Sequence, residues 1–140
     1  MQRNSNDWYK RHMKLASSIL IFALAVGAMA QGAPGQVSEA KLKNLTADYK
    51  TTKAAFAKKP KDAKVKKKYL DATFALGMGT MYGEKLSPRE KYAGALTYFR
   101  EVLKVEPKHK GAKEQYDLIA GIYKQMGKPV PGEKPAGAKG

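Results

Sequence analysis

Cysteine is absent from the 140-residue chain, which excludes disulfides, thiolate nucleophiles and cysteine-ligated zinc. Histidine is almost as scarce, standing only at His12 and His109, so imidazole catalysis and multi-histidine metal sites have too little material. Acidic residues are few: 12 Asp and Glu face 27 Lys and Arg, a formal charge of +15. A field of that sign draws anionic partners, whether nucleic acid, acidic protein, lipid headgroup or wall polymer, without choosing among them. Also missing are a glycine-rich phosphate loop, metal-ligand spacing and paired acid and base residues; isolated acids such as Asp48, Asp71, Glu101 and Asp117 have no obvious partner four residues ahead. The expectation is a chain that is not an enzyme and uses no cofactor.

The most apolar stretch, Leu15 to Val26, is shorter than the ~20 residues that span a bilayer. Lys10, Arg11 and Lys14 precede it, and Ala28-Met29-Ala30 follows as a small-x-small pattern before Gln31. Residues 1–30 therefore read as a signal peptide cut after Ala30, with Met13 an alternative start and an uncleaved envelope anchor the alternative fate. Without a following cysteine or a consecutive arginine pair, the general secretory route is expected, to the periplasm or the medium. Four basic residues and one acidic residue lie in this segment, so its removal leaves +12.

What remains reads as all-α. A flexible leader occupies 31–37 and a helix about Ser38–Lys58, with Leu42, Leu45, Tyr49, Thr52 and Phe56 on one face. Pro60 breaks it, and Asp62 caps a second helix running to about Met81, with Val65, Tyr69, Ala72, Phe74 and Leu76 mostly inward. After a linker over 82–86, Ser87, Pro88 and Glu90 spell a capping box with proline at the first helical position. The helix so begun carries KYAGALTYFREVLKVEP, whose residues Tyr92, Ala95, Leu96, Phe99, Val102, Leu103 and Val105 form one continuous stripe ended by Pro107. His109 falls in an exposed turn, and a fourth helix follows to Met126 with Tyr116, Ile119, Ala120 and Tyr123 inward. Gly127 suits a left-handed cap, Pro129 stops the chain, and 128–140 is expected to be a disordered tail.

Tyr92, Ala95, Phe99, Val102, Leu103 and Pro107 resemble the second helix of a tetratricopeptide repeat, while Leu76-Gly77 and Ile119-Ala120-x-x-Tyr123 resemble first-helix signatures. Gly77 and Ala95 stand further apart than in the family's pattern, the excess lying most simply in MYGEKLSP. The resemblance covers about 38–127 and implies two helical hairpins stacked with a right-handed sense, one clear repeat flanked by half-units that act as caps or let two chains stack. A plain four-helix bundle is the alternative.

By that resemblance the chain is a protein-interaction scaffold holding a peptide or protein in a groove, with contact positions near Asp71, Phe74, Met78, Met81, Glu114, Asp117, Gly121 and Lys124. The alternative is an envelope protein held electrostatically on anionic polymers or lipid headgroups. Its material is seven lysines between positions 58 and 68, including Lys64, Lys66, Lys67 and Lys68, whose other reading is simply a solvated loop and first turn. No aromatic or arginine interleaves them until Tyr69, which weakens any case for stacking on nucleic-acid bases, and an exported chain would meet no nucleic acid.

Overall fold

A helix leaves its first backbone N–H groups without intrahelical partners, and side chains that accept from them decide where it starts. The computed structural model describes residues 35–133 and holds four helices, each begun in this way. Ser38 caps α1 (Glu39–Lys58) and accepts from Lys41 N at 3.3 Å. Asp62 caps α2 (Ala63–Met81), accepting from Lys64 N and Val65 N. Ser87 caps α3 (Pro88–Val105), and Glu90 reaches back to the Ser87 N–H to complete the capping box. His109 caps α4 (Lys110–Gln125): its Nδ1 accepts from Ala112 N at 3.1 Å and its ring lies 5.2 Å from that of Phe74. His109 is thus a half-buried cap, not the exposed turn residue that its lysine neighbours suggested. No Ser, Thr, Asp or Asn stands at that helix start, so the imidazole takes the position.

The targeting segment expected at 1–30, with Ala28 and Ala30, lies outside the described residues, as do Gln31 and residues 134–140. Two segments expected to be loose are held where they are described. Val37 donates to Tyr82 O at 2.8 Å and accepts from Glu84 N at 3.0 Å, one parallel bridge pinning the end of the leader to the α2–α3 linker. Gly127, at φ +66°, turns the chain after α4, and Val130 is buried against the helices. Val130 is the one aliphatic residue among prolines and glycines there, and burying it is what residues 128–133 gain by staying on the fold.

Successive helices pack on one another and alternate in direction. Leu42 and Leu45, early in α1, close on Gly79 late in α2, while Phe56 at the other end of α1 stacks on Tyr69 at 4.7 Å. Gly77 near the end of α2 faces Phe99 of α3, and Lys66 near its start pairs with Glu106 beyond α3. Arg100 of α3 lies over the Tyr116 ring of α4. The core is formed by α2, α3 and α4: Leu76, Leu96, Phe99, Val102, Ala112 and Ile119 are closed off from water. Ala95, Gly77 and Ala120 are buried with them, Tyr92, Leu103 and Tyr123 pack against the same cluster, and Pro107 stands exposed just past α3. None of the residues of α1 is fully buried; Leu42, Leu45, Tyr49, Thr52 and Phe56 form a half-covered face. No described helix is long and apolar enough to cross a membrane.

Glycine inside a helix costs about 1 kcal/mol relative to alanine, and Gly77 has a reason to stay. A Cβ there would come 2.7 Å from the Phe99 ring, which is wholly enclosed and has nowhere to move, whereas a Cβ on Gly121 would meet nothing within 4 Å. Gly77→Ala should therefore lower stability by about 1–3 kcal/mol, and Gly121→Ala should raise it by roughly 0.5–1 kcal/mol. Urea unfolding of the two variants checks the opposite signs, and a stabilising Gly77→Ala would refute the close-packing account.

Candidate functional site

The groove positions expected from the repeat resemblance do not form a single surface. Met81 is buried, and Phe74 and Met78 pack half-buried against the core, Phe74 lying between Phe99 and His109. Asp71, Glu114 and Asp117 are exposed and each pairs with a lysine four residues earlier on its own helix: Lys67 at 2.6 Å, Lys110 at 4.0 Å and Lys113 at 2.7 Å. Asp117 thus has an i,i+4 partner after all, found by looking back along the helix. Gly121 is half-buried on α4, and Lys124 is exposed near the end of that helix. In the lysine cluster, Lys66 pairs with Glu106 and Lys67 with Asp71, while Lys64 and Lys68 are exposed and in no ion pair among the described residues.

A groove does open elsewhere, where the start of α3 meets the end of α4. The capping box and Pro88 fix the first turn of α3, presenting Arg89, Tyr92 and Ala93 along one wall. Ile122, Tyr123 and Met126 form the facing wall on α4. The third wall is the returning chain: Lys128 N donates to Tyr123 O at 2.9 Å, and Lys128, Pro129 and Pro131 line the groove. Two tethers hold this strap, a hydrogen bond from the Arg100 guanidinium to Pro131 O and one from the Tyr116 hydroxyl to Glu133. Burial raises the Tyr116 phenol above its ordinary value, and the hydrogen bond to Glu133 adds to this against the opposing pull of Arg100. The cavity measures about 710 Å³, within the range of ligand pockets. Its lining is mostly aromatic, aliphatic and proline, and Met126 is 51% exposed there. Arg89 and Lys128 supply exposed positive charge and no described acid pairs with either. Such a site can bind an apolar anchor beside an anionic group. Sequence reasoning missed it because the strap was read as a stop, although Val130 between two prolines was a signal that the chain returns.

The second unforeseen constellation surrounds Glu101, which had seemed isolated. The Tyr49 hydroxyl donates to both carboxylate oxygens at 2.8 and 2.9 Å, the Tyr69 hydroxyl donates to Oε1, and Lys53 Nζ lies 2.8 Å from Oε1. Tyr98 packs edge-on against Tyr49 at 5.4 Å, so α1, α2 and α3 all meet at this one carboxylate. Burial alone raises the Glu101 carboxyl, but the hydrogen bonds from Lys53, Tyr69 and Tyr49 outweigh it and hold the group below the usual carboxylate value. Burial, then the Glu101 hydrogen bond and charge, push the Tyr69 phenol well up, and the Glu101 and Tyr49 hydrogen bonds do the same for Lys53. With three donors on it, the carboxylate serves as a fastening between three helices. Among the described residues no group of three or more His, Asp or Glu side chains comes together to hold a metal.

Comparison of the chain with family models, with curated proteins and with solved structures gives no match. The functional reading therefore rests on the site itself.

The Glu101 fastening carries a pH signature. Its folded pKa lies below the unfolded value of 4.5, so its contribution is whole above about pH 5 and is lost as the pH falls through the folded value. Lys53 and Tyr69 are raised, so their contributions are whole below about pH 10 and are lost as the pH climbs through the folded values. Glu101→Gln should cost about 1–2 kcal/mol at pH 7, or roughly 5–15 °C in Tm, with the gap to wild type closing towards pH 3. A gap that stays constant between pH 7 and pH 3 in thermal melts would show that the carboxylate charge is not what holds the helices.

Proposed function

We propose that the chain is a non-enzymatic interaction module of tetratricopeptide-repeat type, exported to the cell envelope through the general secretory route. It binds a peptide segment, apolar with acidic flanks, in the groove between the start of α3 and the end of α4. The observation that carries this reading is the groove's composition: an apolar lining of Tyr92, Ile122, Tyr123 and Met126 with two exposed cations, Arg89 from α3 and Lys128 from the strap, that are in no ion pair among the described residues. An apolar floor supplies the affinity of an anchored side chain, and the cations select acidic neighbours and speed encounter. The repeat reading is supported by helices that pack on their sequence neighbours, by the Gly77–Phe99 approach and by the Tyr92, Ala95, Phe99, Pro107 spacing. Stacked hairpins of this kind present grooves for extended chains, the general use of repeat architectures.

Because the chain has no cysteine, Met126→Cys creates a single labelling position in the groove and Lys68→Cys one at the other end of the molecule. Peptides selected on the immobilised protein from a library of apolar anchors with acidic flanks should shift the fluorescence of a label at 126, saturably and at moderate salt. They should leave a label at 68 unchanged. Ile122→Asp should weaken that binding at least tenfold, about 1.4 kcal/mol. A response that is equal at both labels, or that disappears with salt, would remove the groove from consideration as a peptide site.

A further inference from the structure

The lysine cluster is left unused by the groove, and the fold changes what it amounts to. Antiparallel packing brings the α1–α2 turn and the α3–α4 turn to the same end of the molecule, joined by the Lys66–Glu106 pair at 3.0 Å. The seven lysines between positions 58 and 68 are there met by Lys104, Lys108 and Lys110 from the neighbouring turn. The acids within reach are already engaged: Asp62 caps α2, and Glu106, Asp71 and Glu114 each face a lysine. Lys58, Lys59, Lys61, Lys64, Lys104 and Lys108 are exposed and in no ion pair among the described residues.

We propose that this end of the helical bundle is a docking platform for an anionic phospholipid surface. Three features favour a bilayer over a linear polyanion. The charges come from two turns set on neighbouring helix axes about 8–10 Å apart, so they cover an area and do not follow a track. All are lysines, compact point charges on flexible stems that suit a fluid array of headgroups and lack the forked geometry that reads a fixed phosphate. Among the described residues the large exposed apolar side chains, Tyr82, Leu118 and Met126, are not on this end, so the platform offers none of them for stacking on bases, and attachment through it is Coulombic without insertion.

The test is the partitioning of the full chain onto phosphatidylcholine vesicles with and without phosphatidylglycerol. The readout is the ratio of the two, which cancels whatever the apolar stretch Leu15–Val26 contributes. That ratio should be large at low salt and fall as salt shortens the Debye length from about 30 Å at 0.01 M to about 8 Å at 0.15 M. Each platform lysine is worth about fivefold, so K59Q/K61Q/K64Q together should lower the ratio by on the order of a hundredfold, and the arginine versions of the same three should retain it. Removing the same charge from α1, at the exposed Lys41, Lys43 and Lys50, should change the ratio by no more than about twofold. All these positions are exposed, and circular dichroism checks that helix content is kept. The proposal is overturned by a wild-type ratio near one, or by equal losses from the two triple variants, which would make net charge the agent. It is overturned equally if duplex DNA or polyphosphate at matched charge displaces the chain from the vesicles, which would make a linear polyanion the partner.

Discussion

The Phe99 ring fits between α2 and α3 only because residue 77 has no side chain. A second narrow point lies nearer the linker, where a Cβ on Gly94 would come 2.9 Å from Thr80 Cγ2, so the two helices are held close at two levels, once by a glycine from each. Thr80 and Thr73 spend their hydroxyls on carbonyls of their own helix, which lets polar residues sit in this tight seam without unsatisfied groups. The α2–α3 hairpin is therefore the most closely packed pair among the described helices. Everything else is placed by reference to it: α4 drops Ala112, Ile119 and Ala120 into its open side, and α1 lies along its back.

α1 needs the Glu101 fastening because its own apolar face is thin. Its inner residues are half-covered at best, and Leu45 gains its contact by using the space over Gly79. An apolar replacement for Glu101 would leave two tyrosine hydroxyls and a lysine without an acceptor, at a cost of the size that unsatisfied groups carry. Tyrosine is well suited here, since the rings of Tyr49 and Tyr69 add stacking area while their hydroxyls meet the carboxylate. The fastening thus substitutes directional bonds for the burial that a helix rich in Lys, Thr and Ala cannot supply.

The helices were legible in the sequence because their signals are local. Ser87-Pro88-x-Glu90, Asp62 after Pro60, and Gly127 before Pro129 fix boundaries within a residue or two, and the stripe from Tyr92 to Val105 identifies the core helix. What sequence could not give was pairing across helices. Glu101 has no useful neighbour at four residues' distance, and its partners stand 32 to 52 positions away. His109 looked like part of a lysine-rich turn because nothing local shows that a helix start lacks a better cap. The groove was hidden for a related reason: its third wall is made by a segment whose composition reads as disordered, and only the burial of Val130 and the Arg100 and Tyr116 tethers bring it back.

These constraints leave the described helices with two different ends. The 18 residues of α3, at about 1.5 Å each, set the lysine-rich turns some 27 Å from the groove. At the lysine end, helix starts and helix ends alternate, so backbone dipoles largely cancel and the field there belongs to the side chains. At physiological salt that field decays over about 8 Å, far short of the groove. An acidic ligand of the kind proposed would therefore be attracted by Arg89 and Lys128 alone, while a surface held by the lysines would leave the groove facing away from it. Salt would act strongly on binding at the lysine end and weakly at the groove, whose apolar contacts persist when its cations are screened. Were both proposals to hold, the separation would let one small helical domain engage a surface and a peptide without the two competing for the same charge.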